Sequence, residues 1–368
     1  MDEIQKVSKP EKKNGFTKPF TAFKEFIDFK ISGALSEAKI ALFTHPSPDP
    51  DALGSMMGVA WLLKKQYGVE SDMFVCGCVS HPQNIAMVNL LSPTIIPVEE
   101  FCPEEYTAKI LLDVIPSNAG RGGRDFDFDV IFDHHLEPIT LDSKALYVNL
   151  HTGSNCATIY QLIKFFNIDF EETEEHDQRV ATALMVGIYT DTNGLLSDRM
   201  TDYDHDAFRG MFQFRDTESL HQIAHFKIPP GWVSLMADAA LQARIEDGVA
   251  VVGLGMISSK QRDVIPVMAN TMLTWEGVRV AIAYGVVDGE CIQGSVRSES
   301  AQMSAAKLSQ EFGRERGGSG WGHADMGGYR YPMGGFSIQA DDDQSTKDDT
   351  WKLCKSRETS RIIKLLKK

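Results

Sequence analysis

Apolar positions along this chain follow two periods, one helical and one of short continuous runs. From about residue 20 the spacing is helical, and the run 39–44, Lys-Ile-Ala-Leu-Phe-Thr, reads as a strand. Over 51–67 the apolar positions, Leu53, Met57, Ala60, Trp61 and the neighbours of Leu63, return to helical spacing. Further short runs follow at 72–76, 109–114, 128–133 and 145–150, separated by helical or turn-rich segments. Short buried runs alternating with helices predict an α/β fold, a mainly parallel sheet with helices on both faces. A helical stretch at 177–189 places Asp191 in the loop after it.

The pattern then changes. Residues 203–245 read as mostly helical, broken by Pro229-Pro230-Gly231, and suggest a connector. A second, smaller α/β unit begins with Val249-Ala250-Val251-Val252-Gly253-Leu254 and continues through a helix near 261–275. Strands at 278–287 and 291–297 meet at Asp288-Gly289, a hairpin signal. A helix near 301–313 leads into Gly317-Gly318-Ser319-Gly320-Trp321-Gly322-His323. The expected partition is a mobile lead over 1–19, a first domain over 20–205, a connector over 206–245, a second domain over 246–340 and a charged tail over 341–368. The tail starts with Asp341-Asp342-Asp343 and becomes a basic amphipathic stretch over 351–368. It is read as a helix packed on the body or on a second subunit, which would make a homodimer.

Composition narrows the class. A length of 368 residues, with 43% hydrophobic and 24% charged content, suits a globular protein of two cores. The first twenty residues lack the apolar centre of a signal peptide, and no apolar run reaches the roughly 18 residues of a membrane span. Six scattered cysteines without a CxxC pair fit a reducing cytoplasm. Cys76-Gly77-Cys78 reads as two small buried residues closing a strand. The net charge of −14 argues against a nonspecific grip on long nucleic acid but not against short anionic substrates.

The candidate chemistry is a series of acidic and imidazole side chains. His45, Asp49 and Asp51 lie in His45-Pro46-Ser47-Pro48-Asp49-Pro50-Asp51. Asp113 ends Ile110-Leu111-Leu112-Asp113, read as the third strand. Asp133-His134-His135 follows, with Asp133 ending the fourth, and Asp191 closes Gly187-Ile188-Tyr189-Thr190-Asp191. Ligand sites in open α/β sheets gather beyond the carboxyl ends of the strands, so these groups are expected to converge. Two imidazoles and four carboxylates can hold two divalent ions, and such a pair can activate water and stabilise an attacked phosphate. Asp49 and Asp51 can point to neighbouring ions, and Asp113 can bridge them. The nitrogen ligands favour Mn²⁺ over Mg²⁺. The four carboxylate charges would be cancelled by two such ions, leaving a site that tolerates phosphate.

On these motifs the sequence resembles the DHH phosphoesterase superfamily, in the branch with a DHH-associated C-terminal domain, over roughly residues 38–340. That branch includes RecJ-like exonucleases, nano-RNase/pAp-phosphatases and dinucleotide phosphodiesterases. The resemblance implies that His45 and Asp49 bind one manganese ion, that Asp51, His134 and Asp191 bind the other, and that Asp113 bridges them. It implies that His135 faces the substrate phosphate and that Asp133 orients the neighbouring histidines. Pro50 stands where the family usually has glycine, which predicts altered loop geometry with the ligands retained.

In the second domain, Arg297-Ser298 ends a predicted strand where a guanidinium can grip phosphate. Gly320-Trp321-Gly322-His323 resembles the family's GGGH motif, with Trp321 in place of the middle glycine and Met326 where a small residue is usual. Trp321 could stack on a base or pack on the domain. Arg121-Gly122-Gly123-Arg124 reads as a surface loop, and Cys156 as a buried residue near a helix start.

Three functions compete. The leading one is a two-metal phosphodiesterase acting on short RNA or DNA oligonucleotides or on linear or cyclic dinucleotides, with pAp 3′-phosphatase action as an extension. It would require the two domains to close, with the hinge in 203–245. The alternatives are a pyrophosphatase or exopolyphosphatase using the same metal core, and a non-catalytic nucleotide-sensing module. The chain has no GxSxG elbow, HExxH helix or Walker A loop.

Overall fold

The computed structural model describes residues 17–34, 38–116, 119, 126–135, 144–338 and 342–366. Most of the expected lead, the Arg121–Arg124 loop and Asp341 lie outside them. The chain divides into two compact units, Met1–Lys227 and Ile228–Lys368. The region read as a connector is shared between the two.

The first unit runs α1 (Thr17–Ala34), β1 (Lys39–Phe43), α2 (Pro50–Tyr67), β2 (Glu70–Val75), α3 (Pro82–Leu91), β3 (Ile95–Pro97), β4 (Ala108–Leu112), β5 (Val130–Phe132), β6 (Leu146–Val148), α4 (Asn155–Phe165), α5 (Glu175–Asp191), α6 (Asp202–Met211) and α7 (Thr217–Ala224). Its six strands lie in the order β3-β2-β1-β4-β5-β6, and every pair is parallel. The order reverses between β1 and β4, which opens the crevice where open parallel sheets bind ligands.

Alternate residues of the strands face opposite layers. Ile40, Leu42, Ile110, Leu112, Val130 and Phe132 pack with helix residues such as Phe23, Ile27, Leu53, Ile159 and Leu184. Ala41, Phe43, Leu111 and Ile131 pack on Phe74, Phe101, Val114 and Phe128. Among the described residues this second layer is an aromatic cluster from strands and connecting segments, where the sequence pattern predicts helices.

Several positions differ from the sequence reading. The three-residue β3 is too short to leave a period, so Asp113 follows the fourth strand and Asp133 the fifth. Asp191 is the last residue of α5 rather than part of the following loop. Cys76 is half-buried and Cys78 exposed, because they lie beyond the end of β2 instead of closing it in the core.

The second unit contains α8 (Pro230–Ala240), β7 (Arg244–Glu246), β8 (Val249–Ile257), α9 (Val264–Leu273), β9 (Val280–Val287), β10 (Cys291–Ser298), α10 (Ala305–Arg314), β11 (Ser319–Gly322), β12 (Met326–Pro332) and α11 (Gln344–Leu366). Its sheet has the order β11-β12-β10-β9-β8-β7, antiparallel except between β8 and β9. The β9–β10 hairpin turns at Asp288 and Gly289, both left-handed, at φ 49° and 73°. The tail helix α11 packs on this sheet. Ile362 is buried, and the Tyr284 hydroxyl lies 2.6 Å from Thr359 Oγ1 and donates to the Lys355 carbonyl. Among the described residues, no helix is long and apolar enough to cross a membrane.

Candidate metal centre

Each side chain of the predicted set in the first unit is fixed by the element that carries it. His45 and Asp49 lie in the loop after β1. That loop is tied down by Ser47 N–H donating to the Cys76 carbonyl (3.2 Å) and Asn84 Nδ2 donating to the Pro48 carbonyl (2.9 Å). Asp49 is the N-cap of α2, its Oδ1 accepting from Ala52 N–H at 3.0 Å. Pro50 occupies the first turn of the helix, where a backbone donor is not needed. Asp51 follows in the same turn, fully buried, and accepts from Asn155 N–H (2.6 Å) and Cys156 N–H (2.8 Å) at the start of α4. A carboxylate at a helix N-terminus is favourably placed against the helix dipole.

Asp113 follows β4 in a left-handed conformation, φ 61°, with its N–H donating to the Phe132 carbonyl. Aspartate tolerates this region better than most residues. Asp191 reaches the cluster because α5 crosses α2 closely. A Cβ on Gly54 would lie 2.7 Å from the Ala183 carbonyl oxygen, and one on Gly187 would lie 2.9 Å from Asp51 Cα and collide with Cys156 Sγ. Only glycine allows that approach, and Gly187 is one helical turn before Asp191.

The resulting geometry is a double cage. His45 Nε2 lies 3.8 Å from Asp49 Oδ1 and 3.8 Å from Asp113 Oδ2. His134 Nε2 lies 3.7 Å from Asp51 Oδ2, 3.4 Å from Asp113 Oδ1 and 3.3 Å from Asp191 Oδ2. These spacings are mostly too long for strong hydrogen bonds but suit atoms sharing an ion at roughly 2.1 Å from each. Among the described residues three groups could each hold an ion: His45, Asp49 and Asp113; Asp51, His134 and Asp191; and Asp113, His134 and His135. Asp113 turns one oxygen to each histidine.

Two further features fit a cation. Asp113 Oδ1 and His134 Nε2 are buried and have no hydrogen-bond partner. Both histidines also turn Nδ1 to a backbone carbonyl, His45 to Pro46 (3.1 Å) and His134 to Thr152 (3.3 Å). Donation from Nδ1–H leaves the Nε2 lone pair facing the carboxylates, the tautomer a metal ligand needs.

The electrostatics agree. Burial, then the charges of Asp113 and Asp191, hold the Asp51 carboxyl well above the usual carboxylate range. Burial also pushes Asp113 up. Burial works against a charged His134, but Asp113 and Asp191 outweigh it and raise its pKa. Likewise, Asp49 and then Asp113 overcome the burial of His45 and push it up to about 9. The cluster therefore favours positive charge, which protons or metal ions could supply.

Asp133 is buried and hydrogen-bonded to His135, Oδ1 to Nδ1 at 2.7 Å. It thus orients His135, while the Thr152 carbonyl orients His134. The sequence reading had assigned both histidines to Asp133. Tyr147 donates to Asp133 Oδ2 at 3.4 Å, and Asn149 donates to the His135 carbonyl and the Tyr147 hydroxyl, both at 2.9 Å. Asn149, Tyr147 and Thr152 were missed by sequence reasoning, because nothing in a strand end signals a supporting role. Cys156 is buried as expected, and it also borders the cage, its Sγ donating to the Asp51 carbonyl at 3.3 Å.

The second unit carries the remaining predicted residues. Arg297 is half-buried, donating to Asn270 Oδ1 (2.6 Å), Ser295 Oγ (2.8 Å) and the Val296 carbonyl. Burial lowers its pKa to about 10. Ser298 is committed to the following turn, donating to the Met303 carbonyl and accepting from Ser300 N–H, so its hydroxyl acts in the fold. Gly320 and Gly322 are in β11, where a Cβ on Gly320 would strike the Ser309 carbonyl. Trp321 is 53% exposed, its ring lying over Gly328. His323 N–H donates to the Met326 carbonyl, closing the β11–β12 turn.

Residues 39–188 match the model of the DHH family, N-terminal domain. Residues 39–188 therefore carry a domain of the DHH family. It is 27% identical over 307 residues to an uncharacterised protein of Methanocaldococcus jannaschii, covering 83% of this chain and 60% of that one. It is also 27% identical over 159 residues to a probable manganese-dependent inorganic pyrophosphatase of Streptococcus thermophilus, covering 42% of this chain and 48% of that one. The chain thus spans about three fifths and about half of these relatives. A crystal structure of an exopolyphosphatase-related protein from Bacteroides fragilis shares the fold at a TM-score of 0.65 and 14% identity, covering 94% of this chain and 97% of its own.

Proposed function

We propose that this protein is a two-metal phosphoesterase whose substrates are short oligonucleotides, linear or cyclic dinucleotides, or pAp. The observation that carries the reading is Asp113 between His45 and His134, with one buried oxygen and the facing Nε2 left without hydrogen-bond partners. His45 and Asp49 would hold one ion, Asp51, His134 and Asp191 the other, and Asp113 both. Manganese suits this mixed nitrogen and oxygen set, and it appears in the name of the Streptococcus thermophilus relative. Bound ions would supply Lewis-acid stabilisation of the attacked phosphate and a more acidic water.

The chain's own residues do the rest. His135, oriented by Asp133, is placed to meet developing charge on a phosphoryl oxygen. We read the second unit as a DHH-associated substrate domain. In it Arg297, held by neutral acceptors, is the anion-binding group, and the exposed Trp321 ring is a stacking platform for a base.

A second reading, hydrolysis of pyrophosphate or polyphosphate, is supported by the name of that relative, whose match covers 42% of the chain. Trp321 favours the nucleotide reading, since pyrophosphate has no base to stack. Purified protein with Mn²⁺ can be offered pAp, pApA, cyclic dinucleotides, short RNAs and pyrophosphate. Turnover of the nucleotides, weakened by Trp321→Ala, supports the first reading. Turnover of pyrophosphate alone supports the second. No turnover of any would leave only a sensing module.

A further inference from the structure

Among the described residues, a guanidinium next to this centre has no anion partner. Arg199 lies in the segment after α5, where Asn193, Gly194 and Leu195 take three successive left-handed conformations, φ 50°, 69° and 69°. Two of these are strained for residues with a Cβ. The turn is closed by Thr192, whose Oγ1 donates to the Ile188 carbonyl and accepts from Leu195 N–H. The chain thereby doubles back, and Arg199 Nη2 donates to the carbonyl of Asp191 at 3.1 Å. The Asp191 carboxylate in turn lies 3.3 Å from His134 Nε2, inside the cage. Arg199 Nε is buried without a hydrogen-bond partner, and among the described residues its guanidinium makes no ion pair. A buried, unanswered N–H on a permanent cation is costly, and an anion accepting from it removes that cost.

We propose that Arg199 is a phosphate-binding residue of the first unit, taking an oxygen of the substrate phosphate or of released phosphate while Nη2 stays on the Asp191 carbonyl. The inference rests on the phosphoesterase reading and adds to it a contact that neither motif spacing nor the ligand set reveals. The carbonyl contact by itself would make Arg199 only a cap for the end of α5, a role that any side-chain donor could fill. An anion site needs the charge as well.

Arg199→Gln keeps an amide donor for the carbonyl and removes the charge, whereas Arg199→Lys keeps the charge. The Mn²⁺-loaded protein and both variants would be titrated calorimetrically with sulfate, a tetrahedral dianion that leaves Mn²⁺ in solution. The expected result is about a 10-fold loss of sulfate affinity in Arg199→Gln, a smaller loss in Arg199→Lys, and unchanged Mn²⁺ affinity in both. For a substrate that is turned over, KM rises in Arg199→Gln. The proposal is overturned if wild-type protein does not bind sulfate. It is also overturned if the Gln variant binds it as wild type does, or if both variants lose sulfate equally alongside equal losses of thermal stability. Arg199-dependent sulfate binding without turnover of any phosphoester would support the anion site and sink the phosphoesterase reading.

Discussion

The two units each bury a cluster of charge, and the clusters are built on opposite principles. In the second unit Glu358, 2% exposed, accepts from Arg361 Nη2 (2.6 Å) and Nε (2.9 Å), from Tyr329 OH (3.2 Å) and from Tyr331 OH (2.5 Å). The carboxylate is saturated and its charge is balanced. In the first unit four carboxylates, Asp49, Asp51, Asp113 and Asp191, face two imidazoles, His45 and His134, and two of the buried atoms facing one another lack hydrogen-bond partners. A cluster that neutralises itself holds a fold together. One that stays in deficit is stable only when something from outside completes it.

The comparison can be broken in either unit. Removing the charge of Glu358 should have the largest effect, because Arg361 then keeps only its longer contact to the Glu315 carboxylate, at 3.4 Å. Glu358→Gln is expected to cost about 3–5 kcal/mol. Faster amide hydrogen exchange across β9, β10 and β12, with unchanged exchange in β1 and β4, would be the signature. Equal loss in both units would mean that the cluster is not local to the second.

In the first unit, Asp113→Asn keeps the shape of the side chain and removes the bridging charge. Hydrolysis should fall by at least about 100-fold while the circular dichroism spectrum is retained. Full activity in this variant would remove Asp113 from the centre.

The deficit itself can be measured by metal removal. Mn²⁺ at about 100 times its dissociation constant should stabilise the first unit by about 2.7 kcal/mol. EDTA should reverse the rise in melting temperature, and Asp113→Asn should show little of it. An identical response in the variant would contradict the assignment.

The smallest expected effect sharpens how the cage is assembled. Gly187→Ala inserts a methyl group between α5, Cys156 and Asp51, and is expected to cost about 1–3 kcal/mol. Mn²⁺ affinity should drop with it, since Asp51 and Asp191 are pushed apart. Lost stability at unchanged metal affinity would show that the crossing serves packing alone.

How much of this could be read in the chain differs by element. β1 was legible as a continuous apolar run, α2 because its apolar positions repeat at helical spacing, and the β9–β10 hairpin because Asp288-Gly289 suits left-handed turn residues. The strand Ile95–Pro97 was not, since three residues cannot show a period. Nor was the end of α5: Asp191 falls in its last turn, beyond the apolar positions that mark the helix.

The site divides in the same way. The six side chains His45, Asp49, Asp51, Asp113, His134 and Asp191 were visible as residue types next to strand and helix ends, and the fold brings them together. The Thr152 carbonyl that sets the His134 tautomer was not visible, nor was the unpartnered Nε of Arg199, because both depend on where distant backbone passes.

By itself the sequence determined which groups could bind cations, and the alternation of strands and helices that would carry them to one edge of a sheet. Only the tertiary structure decided that Asp113 divides its oxygens between two histidines, that a pair of glycines lets α2 and α5 close on one another, and that Glu358 is satisfied while Asp113 is not. Residue type and period are local properties of a chain. Charge balance and hydrogen-bond satisfaction are sums over neighbours, and neighbours exist only once the chain has folded.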